Sequence, residues 1–129
     1  MGNGTELGRV RGLGSSKHGA HHWWHQRLTA AGNIVLMAWL LAAITRLPGH
    51  DYDSVRRWLS APVAAIPMAL LVFSVFYHFR LGLQVLIEDY LHDHTRVAAL
   101  LLLNFFVVGA GATAIFSILK IAFTGAPLA

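Results

Sequence analysis

An all-α integral membrane protein with three transmembrane helices is the fold predicted by composition, the spacing of charge and the length of the runs between charges. Of 129 residues, 56% are hydrophobic and 12% charged, where a soluble domain carries about 25% charged residues. The charges gather at Glu6–Arg27, Arg46–Arg57 and Arg80–Arg96, leaving uncharged runs at Leu28–Thr45, Trp58–Phe79 and Val97–Leu119. At about 1.5 Å per residue, helices of those lengths reach about 27–35 Å, close to the ~30 Å hydrocarbon core of a bilayer. Three buried helices of a soluble bundle would each need a polar outer face, and Val97–Leu119 has none.

The elements follow in order. Residues 1–23 read as a tail and interface segment. Its first part, Met1–Ser16, holds five glycines and scattered charge, the composition of a flexible or partner-ordered arm. Lys17–Arg27 (KHGAHHWWHQR) brings four histidines and two tryptophans to the edge of the first span, where an indole keeps its ring in lipid and its N–H near water. The segment before Leu28 is polar and does not read as a cleavable signal. Residues 24–125 form the three-helix unit, with spans near 26–46, 61–90 and 96–123. The first helix stops before Pro48-Gly49, and Pro48–Leu59 reads as a loop with Tyr52 and Trp58 as interface anchors. Pro62 suits a first turn, while Pro67 is expected to bend the second helix. That helix continues past Arg80 to about Tyr90, Leu91–Thr95 turns, and the third helix ends before Gly125.

With three spans, the N-terminus and second loop share one side, with Arg9, Arg11, Lys17, Arg27 and Arg96. The other side has Arg46, Arg56, Arg57 and Lys120. The excess of bases on the first side predicts a cytoplasmic N-terminus. Cysteine is absent, which excludes ligation of an iron–sulfur cluster by this chain, covalent haem attachment and disulfides. No nucleic-acid partner is expected.

His78 is the most informative position, because an ionisable side chain inside a span is a functional candidate. Ser74 and Gly82 flank it one turn away on the same face, leaving room for a flat ligand, and neutral imidazole is a haem-iron ligand. The competing reading is a histidine hydrogen-bonded to a neighbouring helix or lying near the interface. No other span contains a histidine, so a two-histidine haem would need a second polypeptide and a heteromeric helical bundle.

Asp89 and Tyr90 lie about three turns on, with Asp89 about 20° off the His78 stripe and ~16 Å along the axis. A carboxylate and a phenol at a membrane edge can hydrogen-bond a quinone and relay protons. Equally, tyrosine anchors interfaces and acids end spans. Arg27 with His21, His22 and His25 could neutralise haem propionates or lipid phosphates, or serve as ordinary basic anchoring. Arg80 lies about 200° round the helix from His78, and either snorkelling or pairing with Glu88 would accommodate it.

The run FYHFRLGLQVLIEDYLHDHTR, with His78-x-x-x-Gly82-Leu83 and Asp89-Tyr90, resembles the small hydrophobic membrane anchor of succinate dehydrogenase. GAHHWWHQRLTA resembles the segment before the first helix in alphaproteobacterial members, and the likeness extends from about Lys17 to Phe123. It implies a multi-pass protein of the bacterial inner membrane, one of four subunits in a complex. A flavoprotein oxidises succinate, an iron–sulfur protein passes the electrons, and a cytochrome b subunit joins this small anchor in holding the assembly among membrane lipids. By the same resemblance His78 matches an axial ligand of haem b, with the cytochrome b subunit supplying the other. Tyr90 matches a ubiquinone-binding tyrosine, Asp89 its acidic neighbour in proton delivery, and Arg27 and His21 match residues near the haem propionates. Arg80 departs from the pattern, and His22, His25, His92 and His94 have no role in it. A haem-free structural anchor and the anchor of a fumarate reductase are the two alternatives.

Overall fold

The computed structural model describes residues 5–7 and 19–125. Most of the Gly-rich arm therefore lies outside the described residues. Four helices follow the arm: α1 (Gly19–Thr45), α2 (Tyr52–Ser60), α3 (Pro62–Tyr90) and α4 (Asp93–Thr124). There is no strand among the described residues. The helices α1, α3 and α4, with 27, 29 and 32 residues, are each long and apolar enough to cross a membrane.

The first helix begins well before the hydrophobic run that predicts it. His21 and His25 lie edge to face with ring centres 6.3 Å apart, and the Arg27 guanidinium carbon sits 4.5 Å above the Trp23 ring. These are both contacts one turn apart, the spacing at which helix neighbours meet, so the His/Trp segment extends the helix instead of preceding it.

The connection Pro48–Leu59 corrects the loop expectation, because most of it is α2. Asp51 caps it, accepting a hydrogen bond from the Ser54 backbone N–H at 3.2 Å. Those bonds hold the exposed Asp51 carboxyl below its ordinary pKa, with the Ser54 side chain contributing most and the Ser54 backbone next. The helix is strongly amphipathic: Leu59 is buried against Ala65 of α3 and Ile118 of α4, while Arg56 and Arg57 remain exposed. Hydropathy averaged over a long window misses so short a helix, although its cap and 3.6-residue pattern were present in the sequence. Trp58 stacks on Trp39 of α1, with ring centres 6.0 Å apart.

The third helix starts with Pro62 in its first turn and runs without a break through Pro67. Leu91 and His92 reverse the chain, and α4 opens on Asp93 at φ 53°, a left-handed value that Asp tolerates better than most residues. At the far end Gly125 is required by space. A Cβ there would overlap Ser60 Cβ and lie 2.7 Å from the Ile121 carbonyl oxygen.

The packing order is α1–α3–α4. The central helix α3 touches both neighbours, and α1 and α4 do not meet. Ala64, Ala65, Leu71 and Leu81 of α3 and Leu103, Val107 and Ile118 of α4 make the thin core. Large apolar side chains from Ile34 to Phe123 stay exposed, Phe105 at 74% and Phe123 at 85%. A row of helices so open on its flanks needs lipid or other helices against those faces.

Candidate functional site

Because α3 lies between two helices, its opposite faces carry different chemistry. His78 faces α1 and Arg80 faces α4, as their angular separation around the helix requires.

On the α1 side, His78 Nδ1 lies 3.0 Å from Thr29 Oγ1. The Thr29 hydroxyl also donates to the His25 carbonyl at 2.7 Å and approaches that of Gln26 at 3.1 Å. Ser74 donates to the Thr29 carbonyl at 3.4 Å. One turn outward, His25 Nδ1 and the Tyr77 hydroxyl are 2.8 Å apart. The small residues around His78 have neighbours on α1. A Cβ on Gly82 would stand 3.5 Å from Gln26 Nε2, and one on Gly32 would stand 3.5 Å from Ser74 Oγ. Ser74 thus meets the α1 backbone, while Gly82, exposed, has only the Gln26 side chain near it. Small residues at a helix–helix contact commonly allow such approach in membranes.

The neighbour-helix reading of His78 is thus realised at one nitrogen. The other, Nε2, has no hydrogen-bond partner among the described residues and is not among the enclosed polar atoms, and the ring is partly exposed. Its chemistry suits a metal: a neutral imidazole held at one nitrogen presents a lone pair at the other. No group of three or more His, Asp or Glu side chains among the described residues could hold a metal ion by itself, so an ion at His78 needs donors from elsewhere.

The α1 face above His78 carries a polar stripe, His22, Gln26, Thr29 and Asn33, at spacings of four, three and four residues. Sequence reasoning considered His22 only as a partner of propionates or phosphates and passed over the others, though this periodicity was its available signal. His22 Nε2, Gln26 Oε1 and Asn33 Oδ1 are enclosed with no hydrogen-bond partner among the described residues.

Tyr90 is the last residue of α3 and is 76% exposed, with Asp89 exposed beside it. His21 is exposed near the start of α1, and Arg27 is exposed over Trp23. Neither hydrogen-bonds His78. On the α4 side, Arg80 is half-buried and its Nε donates to Asn104 Oδ1 at 2.6 Å, while Asn104 Nδ2 donates to the Leu100 carbonyl at 2.7 Å. Glu88 instead accepts from Gln84 at 2.9 Å, so of the two readings of Arg80 the Glu88 pairing gives way to an interhelical partner. Asn104 lies 24 residues away in sequence, beyond any helical periodicity.

Comparison with known proteins adds a family. The family model "Succinate dehydrogenase/Fumarate reductase transmembrane subunit" matches residues 1–119. A succinate dehydrogenase hydrophobic membrane anchor subunit of Rickettsia bellii (strain RML369-C) is 32% identical over 116 residues, covering 87% of this chain and 93% of the relative. The protein of the same name from Paracoccus denitrificans is 27% identical over 111 residues, 86% of each chain. A succinate dehydrogenase membrane anchor subunit from Reclinomonas americana is 30% identical over 93 residues, 69% of this chain and 78% of the relative. No solved structure matches.

Proposed function

The chain belongs to the succinate dehydrogenase/fumarate reductase transmembrane subunit family as a membrane anchor subunit of succinate dehydrogenase, and from that premise we propose that it also supplies one ligand of haem b and part of a ubiquinone site. The observation that carries the haem assignment is the His78 ring, tied to α1 through Nδ1 and open at Nε2. With no histidine in the other apolar runs of this chain, a second histidine for the group would come from the cytochrome b subunit. The open α1–α3–α4 row offers its bare flanks to that protein. Bound there, haem b would supply one-electron redox capacity between the iron–sulfur protein and the quinone.

This chain's own residues have defined tasks in the proposal. His78 Nε2 holds the iron, and Arg27 and His21, at the same end of the molecule as Tyr90, meet the propionates. The exposed Tyr90 phenol donates a hydrogen bond to a quinone carbonyl, which favours charge developing on that oxygen as electrons arrive. Asp89 passes protons from the water beyond the span, two being needed for each quinone reduced to quinol. Succinate and flavin bind to the flavoprotein, and electrons arrive from the iron–sulfur protein. The excess of bases on the N-terminal side supports a cytoplasmic location for that terminus, and with it Tyr90, at the bacterial inner membrane.

Two variants of the purified complex test the proposal. His78→Ala should lose the b-type haem absorbance. Tyr90→Phe should slow ubiquinone reduction and leave succinate oxidation by artificial acceptors intact. An unchanged haem spectrum in the first variant refutes the ligand assignment, and undiminished quinone reduction in the second refutes the role of Tyr90.

A further inference from the structure

The Thr29 hydroxyl has one proton and three close neighbours. It lies 2.7 Å from the His25 carbonyl oxygen, 3.1 Å from that of Gln26 and 3.0 Å from His78 Nδ1. The two carbonyls can only accept, and both are in Thr29's own helix, where back-bonding of this kind is common for threonine. A proton shared between them leaves the hydroxyl oxygen with lone pairs only toward His78. The 3.0 Å contact is then a bond in which Nδ1–H donates and Thr29 Oγ1 accepts. A neutral imidazole protonated at Nδ1 carries its lone pair at Nε2, the nitrogen without a partner.

We propose that Thr29 is the positioning residue for His78: by accepting from Nδ1 it selects the tautomer that can ligate iron through Nε2 and fixes the plane of the ring. The inference rests on the haem reading above and deepens it. The surrounding packing supports it, because α1 and α3 also touch on either side of this bond. Gly32 faces Ser74, Gly82 faces Gln26, and Ser74 donates to the Thr29 carbonyl at 3.4 Å. Such an outer partner also makes the imidazole a stronger donor to the metal, which favours the ferric state and lowers the midpoint potential.

The test uses the purified complex and measures the haem midpoint potential and the ferric low-spin electron paramagnetic resonance spectrum. Thr29→Val keeps the shape and removes the acceptor, so the potential should move positive and the spectrum should change. Thr29→Ser restores a hydroxyl and should return both to wild-type values. Ser74→Ala loosens the same helix contact without touching the ring and should leave both unchanged. A Thr29→Val complex that keeps haem with unaltered potential and spectrum overturns the inference while the haem reading stands. A Ser74→Ala shift equal to that of Thr29→Val overturns it in favour of general packing. Wild-type complex without a b-type spectrum, or haem retained by His78→Ala, overturns the haem reading and this inference together. If Thr29→Val fails to assemble, Thr29→Cys replaces it, because sulfur is a weak acceptor. A potential in Thr29→Cys equal to that in Thr29→Ser is then the refuting result.

Discussion

Removing the amide that holds Arg80 should expose how much one charged hydrogen bond contributes between membrane helices. The Arg80 Nε to Asn104 Oδ1 distance is 2.6 Å, and Asn104 is oriented by its own bond to the Leu100 carbonyl. Hydrogen bonds to charged groups in soluble proteins contribute about 1.5–3 kcal/mol. Interhelical bonds in membranes average about 0.6 and reach about 1.7 kcal/mol, because the separated helices also find partners. A short, charged and half-buried bond belongs at the upper end, so a coupling of about 1–2 kcal/mol is expected between the two side chains. Asn104→Leu keeps the volume and orphans the guanidinium; Arg80→Leu removes the charge; the double variant removes both. The detergent-solubilised complex would be titrated with sodium dodecyl sulfate, with the fraction of anchor retained as the readout. The double variant should be less impaired than the sum of the singles. Effects that add to within about 0.5 kcal/mol would refute the pairing. Glu88→Gln combined with Arg80→Leu serves as the control and should be additive, since Glu88 bonds Gln84 instead.

Other predictions concern the ends of the bundle. Asp51→Ala should fray α2, seen as faster amide exchange over residues 52–56. Because the folded Asp51 carboxyl titrates below its ordinary value of 3.8, its stabilising effect is complete above the unfolded pKa and is lost as pH falls through the folded one. Wild-type protection should therefore approach that of the variant only in acid below about pH 4. Gly125→Val should lift the end of α4 from Ser60 at a cost of about 1–3 kcal/mol, the usual range for overpacking, measured as a lower midpoint in the same detergent titration. Leu81→Ala, at a position only 3% exposed, should destabilise by about 2–5 kcal/mol in that assay, whereas Val63→Ala, at 82% exposure, should do far less in the isolated chain.

The sequence made some of the site legible and hid the rest for identifiable reasons. His78 stood out because burying an ionisable group in hydrocarbon is costly enough to demand an explanation from composition alone. Tyr90 and Asp89 were legible as the wet end of a long helix, and both are exposed there. Ser74 and Gly82 were legible as small neighbours of His78, but a small residue creates space without saying what lies beside it. Ser74 meets the Thr29 carbonyl of α1, and Gly82 lies beside the Gln26 side chain. For Arg80 the sequence offered only snorkelling or Glu88, because a single helix permits only periodic neighbours, whereas its acceptor lies on the next helix. The helix α2 was missed because nine residues are too few to register in a search for long apolar runs.

The three spans and their approximate limits were determined by the sequence itself, since transfer of a segment into lipid depends on its own side chains and length. The family resemblance was likewise carried by residues close together in the chain, from His78 to Tyr90. Tertiary structure alone decided that α3 is central, that His78 and Arg80 serve different neighbours, and that Thr29 meets a ring 49 residues away. Those contacts depend on which faces of three similarly apolar helices come together. Hydropathy scarcely distinguishes such faces, so the choice is left to small residues at the contact and to a few polar groups needing partners.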